Sequence, residues 1–243
     1  MQSETHRKII TWYIRFDLFA GMMSGGSTVL GREWFAACAD FYKRQSRDRP
    51  NDLGAKFEEY FSASRLRATD VALLFAAATK KSIRDEEFAL EAGKIAAEMG
   101  SFGHHLETAF TDPSCFVKSF GNTPTPGEDD LFNYREPNFL YGKEWFTMNF
   151  VLIDFWAIQL MFQFQLLAAQ GQQPTADITD RYLTNLALKK CKMFEAIEHY
   201  DQAPPGAIMG CQASLGIASL FMPKDKKHQM WCRRKFALIE QRG

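Results

Sequence analysis

The spacing of apolar residues constrains the fold of this chain more than any other feature. Apolar side chains recur three and four positions apart along most of the 243 residues, which places them on one face of an α-helix. No alternation of apolar and polar residues persists long enough to require a β-strand. Glycine and proline interrupt the pattern, so it predicts an all-α, multi-helical bundle of about eight or more helices. These helices are expected at about 4–23, 32–49, 53–80, 82–99, 145–169, 179–200, 205–222 and 224–242, where 53–80 is either one long helix or two consecutive ones.

The charge balance excludes one broad class of protein. Lysine and arginine together number 29, as do aspartate and glutamate, so the formal net charge is zero. A strongly basic nucleic-acid-binding module is therefore not expected, because contacts to phosphate dominate that kind of affinity.

The five cysteines are odd in number and widely spaced, and no zinc-ligand spacing such as C-x2-C occurs. This pattern predicts free thiols in a reducing compartment. The cysteines are Cys38, Cys115, Cys191, Cys211 and Cys232.

The segment 111–138 lacks the helical pattern and is rich in proline, glycine and acidic residues. Irregular connections of this length are uncommon inside a compact domain. We interpret residues 1–243 as one all-helical domain in which 111–138 contains a junction between two helical subdomains that share a core.

Residues 145–169 form the most apolar segment, and their length suits a membrane span. However, polar residues interrupt the segment in several directions around the helix, and an ionised aspartate at mid-membrane costs about 2.5–3.5 kcal/mol. We therefore interpret the segment as a central helix of a soluble bundle and expect no membrane partner. The polar residues are Asn149, Asp154, Gln159, Gln163 and Gln165.

The same segment carries aromatic and methionine side chains that would form an apolar crevice for a small molecule. On a buried helix such residues more often belong to the core, so we do not predict them as ligands. They are Trp145, Met148, Phe155, Trp156, Met161 and Phe162.

Two groups of histidine and glutamate side chains resemble metal or acid–base sites. Neighbouring histidines on a helix point about 100° apart, and neither H-E-x-x-H nor the repeated Glu-x-x-His of di-iron bundles is present. We therefore interpret them as solvated or hydrogen-bonded side chains and predict no catalytic, cofactor-binding or metal-binding residue. The first group is Glu98, His104, His105 and Glu107, and the second is Glu195, Glu198 and His199.

Residues 21–28 have the outline G-x4-G-x-[ST] of a phosphate loop. The lysine position of that loop holds Ser27, and the segment follows a helix rather than a strand. A flexible turn between helices is therefore favoured over nucleotide binding.

Asp17 lies within the apolar arc of the first helix, about 80° from Ile9. A buried carboxylate needs a cation or several N–H donors, because burying it unpaired is very unfavourable. We predict a structural ion pair that locks the helix, with a buried general base as the alternative. The nearby cations in sequence are Arg32, Arg65 and Arg67.

The last helix is rich in basic residues around Met230 and Trp231. Such a patch suits nucleic acid or an acidic partner, but in a neutral chain it is more often a solvated helix face. The basic residues are Lys224, Lys226, Lys227, His228, Arg233, Arg234 and Lys235.

Two runs of residues resemble a known family. The first is I-T-W-Y-I-R-F-D-L-F-A-G-M at 10–22, followed by G-G-S-T-V-L-G-R-E-W-F at 25–35, and the second is F-M-P-K-D-K-K-H-Q-M-W-C-R-R-K-F-A-L-I-E at 221–240. They resemble the fungal-specific regulatory domain of binuclear zinc-cluster transcription factors. The resemblance implies an all-α effector domain that regulates transcription in the nucleus. It carries over no catalytic or metal-binding residue.

The same resemblance implies action through a small molecule or partner proteins, often as a dimer. The family reads DNA through a six-cysteine zinc cluster, and the five cysteines of this chain lack that spacing, so the chain alone is not expected to bind specific DNA sequences. We therefore expect a homodimer, co-regulator proteins or an apolar effector as partners, and neither cofactor nor enzymatic activity.

Two other classes of function remain open at this point. One is an all-helical enzyme acting on an apolar metabolite, which would require two polar side chains to meet within hydrogen-bond reach at a pocket. The other is a scaffold that dimerises through exposed aromatic surface. The polar candidates for the enzyme are Asp17, Glu98, His104 and His199.

Overall fold

The computed structural model describes residues 28–127, 130–171 and 181–242, together with eight residues between 9 and 22. It contains no β-strand within these ranges, and the prediction of an all-α, multi-helical fold is confirmed. The described residues between 9 and 22 are helical. Most of the phosphate-loop outline, residues 23–27, lies outside the described part. The bounded helices are α1 (Arg32–Asp48), α2 (Leu53–Thr79), α3 (Asp85–Thr108), α4 (Thr147–Ala169), α5 (Arg181–His199), α6 (Gln212–Ser219) and α7 (Lys226–Arg242).

The chain divides into two compact units, Met1–Leu106 and Glu107–Gly243. The division falls in the last turn of α3. The segment 111–138, in which we expected a junction, lies inside the second unit. Its described residues include a short 3-10 helix at Pro113–Cys115, and Phe116 forms an isolated bridge with Tyr141.

In the first unit, α1 and α2 form a helical hairpin and pack against each other. Phe35 on α1 and Phe57 on α2 are buried. Asp52 caps the start of α2, because its side chain accepts a hydrogen bond from the backbone N–H of Ala55 at 3.1 Å. Both helices have nearly the bounds that the sequence predicts.

Helix α3 continues to Thr108, although the sequence predicted an end near 99. Glycine inside a helix costs only about 1 kcal/mol relative to alanine. Past Gly100, the chain buries Phe102 and Leu106 on the face that already carries Met99. This burial outweighs the glycine penalty, so Gly100 does not end the helix.

In the second unit, α4 packs against α5 and α6. It is buried on almost every side over its first four turns. The helical stretch Lys143–Ala169 is the one part of the described chain that is long and apolar enough to cross a membrane, and 56% of its most apolar window is buried within the protein. Length and composition of this kind also suit the core helix of a globular unit.

The aromatic and methionine residues of this helix form core. Trp145 is half-buried, whereas the other five side chains of the apolar crevice considered above are buried. These are Met148, Phe155, Trp156, Met161 and Phe162.

The predicted helix 205–222 is shorter in the structure. Gly206 has a left-handed backbone with φ of 74°, which suits glycine because it lacks a Cβ atom. A 3-10 helix follows at Ala207–Cys211, and α6 begins only at Gln212.

Candidate functional site

A buried polar cluster links α5 and α7 in the second unit. Three of its members lie within one turn of α5 and share one face of that helix. The other two are four positions apart on α7, on the side that faces α5. We call this group the α5–α7 polar cluster. It consists of Glu195, Glu198, His199, Trp231 and Lys235.

Glu195 is the centre of the cluster and receives three donors. Its Oε2 atom lies 2.7 Å from Nε1 of Trp231 and 2.8 Å from Nζ of Lys235. Its Oε1 atom lies 3.1 Å from Nε2 of His199. Burial acts to raise the pKa of Glu195, but the hydrogen bonds from His199, Lys235 and Trp231 favour the charged form. Their combined effect is larger, so the pKa of Glu195 lies below its usual value.

Lys235 lies between two carboxylates. Its ammonium nitrogen is 2.8 Å from Glu195 and 2.6 Å from Oε2 of Glu198, and the Lys235 side chain is only 11% exposed. The sequence placed Lys235 with the other basic residues on a solvated helix face, and for Lys235 that interpretation is wrong. The two glutamates of α5 supply the counter-charge that makes its burial possible.

The donor atoms of Glu195, Glu198 and His199 all lie within 4.8 Å of one another, a spacing that a metal ion would suit. The ammonium group of Lys235 already lies against both carboxylates. A metal ion at this point would be repelled by that charge at short range. We therefore interpret the group as carboxylates neutralised by an internal lysine.

His199 is fixed by residues outside α5. Its ring stacks on that of Tyr134 with centroids 4.3 Å apart and planes inclined by 17°. Its backbone carbonyl accepts a hydrogen bond from Oγ1 of Thr123 at 3.0 Å. The irregular segment before α4 therefore covers one edge of the polar cluster.

The other histidine and glutamate group is distributed differently. His104 and His105 are exposed on α3, and His105 makes an edge contact with Tyr60. Glu107 accepts hydrogen bonds from Nε1 of Trp156 at 3.1 Å and from Nζ of Lys189 at 2.7 Å. Glu107 thus serves the packing of the second unit.

Asp17 is buried, and its carboxylate accepts two backbone hydrogen bonds. The donors are the N–H groups of Val29 at 2.7 Å and Leu30 at 2.9 Å. The sequence favoured a cation; among the described residues the donors to Asp17 are these two N–H groups, and Arg32 binds Asp70. Asp17 therefore joins the first helix to the segment before α1 and has the role of a structural anchor.

Lys190 on α5 is a functional candidate that the sequence analysis missed. It is 2% exposed, and its Nζ atom has no hydrogen-bond partner among the described residues. Burial lowers the pKa of Lys190 to about 7, although Asp154 and the thiols of Cys191 and Cys211 act in the opposite direction. The signal was present, because Lys190 falls on the apolar face of α5 at helical spacing from Ala187.

Two cavities are lined by described residues. One of about 600 Å³ lies between α1 and α2 and is lined mainly by charged residues, among them Lys43, Arg44 and Lys56. Another of about 250 Å³ is lined by residues that include Lys143 and Tyr200.

The enzyme alternative required two of four polar side chains to meet at a pocket. The structure joins His199 to Glu195, which also binds Lys235 and Trp231 and is thereby engaged. None of the four lines either cavity. They are Asp17, Glu98, His104 and His199.

The chain was also compared with known proteins. No protein-family model, curated protein or solved structure gives a significant match.

Proposed function

We propose that this chain is a regulatory domain that controls transcription in the nucleus and does so without reading DNA itself. Its partners would be co-regulator proteins or an apolar small molecule, and it would act as a homodimer. The proposal rests on the resemblance of residues 10–35 and 221–240 to the regulatory domain of fungal zinc-cluster transcription factors. An all-α fold is consistent with that resemblance.

The observation that carries the proposal is the way the first run of resembling residues is held together. Asp17 from the first half of the run accepts the N–H groups of Val29 and Leu30 from the second half. Arg32 then binds Asp70 on α2. Asp17 and Arg32 thus serve a structural purpose, which fits a signature of fold and regulation better than one of catalysis.

The polar cluster of the second unit supports the same view. Glu195 accepts three donors from the protein. A general base must keep an acceptor for the proton that it removes. The cluster therefore suits a group that fixes the contact of α5 with α7.

A reporter assay tests the proposal. The full chain, fused to an unrelated DNA-binding domain, is expressed in yeast with a reporter gene that carries the matching DNA site. We expect transcription to rise or fall several-fold relative to the DNA-binding domain alone. The matched control is the same fusion with Asp17→Ala, which removes the anchor of the resembling run and is expected to lose the effect.

The amount of fusion protein, its presence in the nucleus and its occupancy of the DNA site are measured in parallel. If the fusion is folded and bound to the DNA site but neither raises nor lowers transcription of the reporter gene, the proposal is contradicted. Turnover of a metabolite by the purified chain would contradict it independently.

A further inference from the structure

Three sulfur atoms from separate segments of the second unit meet beside the α5–α7 contact. Cys191 lies on α5, Met222 in the connection between α6 and α7, and Cys232 on α7. The Sδ atom of Met222 lies 3.3 Å from Sγ of Cys191 and 3.5 Å from Sγ of Cys232. We call these three residues the sulfur triad.

Two residues of the sulfur triad are buried and the third is partly exposed to solvent. Cys191 and Met222 are buried, whereas Cys232 is half-buried and offers a way in from solvent. All cysteines of the chain are free thiols, so neither Cys191 nor Cys232 is engaged in a disulfide.

We propose that the sulfur triad binds one monovalent copper ion, with two thiolates and one thioether as its ligands. Soft thiolate and thioether sulfur atoms select Cu(I) over harder ions. Zn²⁺ in structural sites takes four ligands from cysteine, histidine and carboxylate side chains, and a thioether does not belong to that set. A Cys-Met-Cys group therefore suits copper(I) better than zinc.

The two separations that involve Met222 fit a three-coordinate site after a small adjustment. Three sulfur atoms at about 2.3 Å from one ion in their plane are separated by about 4.0 Å, taking the metal–thiolate distance known for zinc. The measured separations of 3.3 Å and 3.5 Å must then open by about 0.5–0.7 Å. The flexible, unbranched side chain of Met222 permits a movement of this size.

Binding is a ligand exchange without redox chemistry. The copper ion remains Cu(I), the two thiols release two protons to solvent, and the bound group carries one net negative charge. Burial raises the pKa of the Cys191 and Cys232 thiols, so the charge of the bound ion must favour their thiolate forms. Lys224 acts in the same direction as the ion at Cys232. Because the ligands are 31 and 10 positions from Met222 in sequence, no motif spacing marks the site.

Copper transfer to the full chain tests the proposal. The purified, reduced protein is titrated without oxygen against a Cu(I) complex of the coloured chelator bathocuproine disulfonate. We expect the wild-type chain to withdraw one copper ion. Met222→Leu should weaken this binding at least about tenfold, the smaller of the losses known for groups that merely support a metal ligand. Cys191→Ser and Cys232→Ser should weaken it further.

Cys38→Ser and Cys115→Ser are the matched controls, because they remove buried thiols outside the triad and should bind copper as the wild type does. X-ray absorption of the wild-type complex should show three sulfur ligands. The proposal is overturned if the wild-type chain leaves the copper with the chelator, a result that does not depend on whether any variant folds. Wild-type affinity in a folded Met222→Leu variant, or nitrogen and oxygen ligands in the absorption spectrum, would also overturn it.

Discussion

Asn149 and Tyr141 are joined by a reciprocal pair of hydrogen bonds inside the second unit. The side-chain carbonyl of Asn149 accepts the backbone N–H of Tyr141 at 3.0 Å, and its amide nitrogen donates to the backbone carbonyl of Tyr141 at 2.9 Å. The same nitrogen donates to the carbonyl of Phe146 at 2.9 Å. Asn149 is fully buried, so it replaces the partners that Tyr141 would otherwise find in a helix or in water.

Replacing this asparagine by an apolar residue of similar size should therefore destabilise the protein. In Asn149→Leu, the N–H and carbonyl of Tyr141 are left buried without that partner. We expect the free energy of unfolding to fall by about 2–4 kcal/mol, because each unsatisfied buried group costs about 1–3 kcal/mol. Urea denaturation followed by circular dichroism measures the change.

Gln159→Leu on the same helix is the control. Gln159 is half-buried, and we expect a change within about 0.5 kcal/mol, as for substitutions away from buried networks. Equal effects of the two variants would show that the pairing of Asn149 with Tyr141 does not stabilise the fold.

Removal of the ammonium group from the α5–α7 polar cluster should be more damaging. In Lys235→Met, Glu195 and Glu198 lose the cation that lies 2.8 Å and 2.6 Å from their oxygen atoms. Breaking a buried ion pair on one side costs about 3–5 kcal/mol. We expect a loss near the lower end of that range, because the side chains are about one-tenth exposed and one glutamate can take up a proton. Thermal and urea unfolding measure the loss.

Lys226→Met changes the same residue type on the same helix at an exposed position, and its effect should be small. The loss in Lys235→Met should also shrink as the pH falls through the lowered pKa of Glu195, since a protonated Glu195 no longer needs the cation. A loss that is independent of pH between about 3 and 7 would contradict an ion-pair role for Lys235.

The anchor formed by Asp17 gives a graded prediction. Asp17→Ala removes both acceptors of the Val29 and Leu30 N–H groups, whereas Asp17→Asn keeps one oxygen. Hydrogen bonds to a charged group contribute about 1.5–3 kcal/mol, so alanine should lower the stability by at least that amount and asparagine by less. The melting temperatures of the two variants show which substitution destabilises the protein more. Asp48→Ala is the control, because Asp48 is exposed. An unchanged melting temperature of Asp17→Ala would show that the hydrogen bonds of Asp17 do not stabilise the fold.

Local sequence rules predicted the helices well where apolar spacing and strong breakers agree. Pro50 marks the turn between α1 and α2, and both bounds lie within about a residue of expectation. The rules failed at Gly100, because tertiary burial further along α3 outweighs a local penalty of about 1 kcal/mol. The sequence could not show that difference, since it depends on what packs against Phe102 and Leu106.

The polar site was predictable in part. The sequence identified Glu195, Glu198 and His199 as a group because they are one helical turn apart. It could not place Lys235 beside them, because the pairing joins positions about 40 residues apart and needs the packing of α5 with α7. The neighbouring basic residues also suggested that Lys235 is exposed to solvent rather than buried.

Lys190 leads to a prediction about pH. Burial lowers its pKa to about 7 in the folded protein, whereas an unfolded lysine keeps its proton up to about pH 10.4. Between these values the unfolded chain binds more protons, so the stability contribution of Lys190 rises with pH. From pH 7 to 8.5 the wild type should gain about 1.5 kcal/mol of unfolding free energy relative to Lys190→Met.

The Lys190→Met variant should itself be more stable than the wild type at pH 7 by about 1–4 kcal/mol, as when a buried charge is replaced by an apolar side chain.

Urea denaturation of the wild type and Lys190→Met at both pH values measures this difference directly. The titration of cysteine and tyrosine side chains changes the stability of both proteins alike, so it cancels in the comparison. Lys118→Met serves as the control, because Lys118 is exposed, and its pH profile should run parallel to that of the wild type. If Lys190→Met also runs parallel to the wild type, Lys190 keeps its proton over this range in the folded protein, which would contradict a pKa lowered to about 7 by burial.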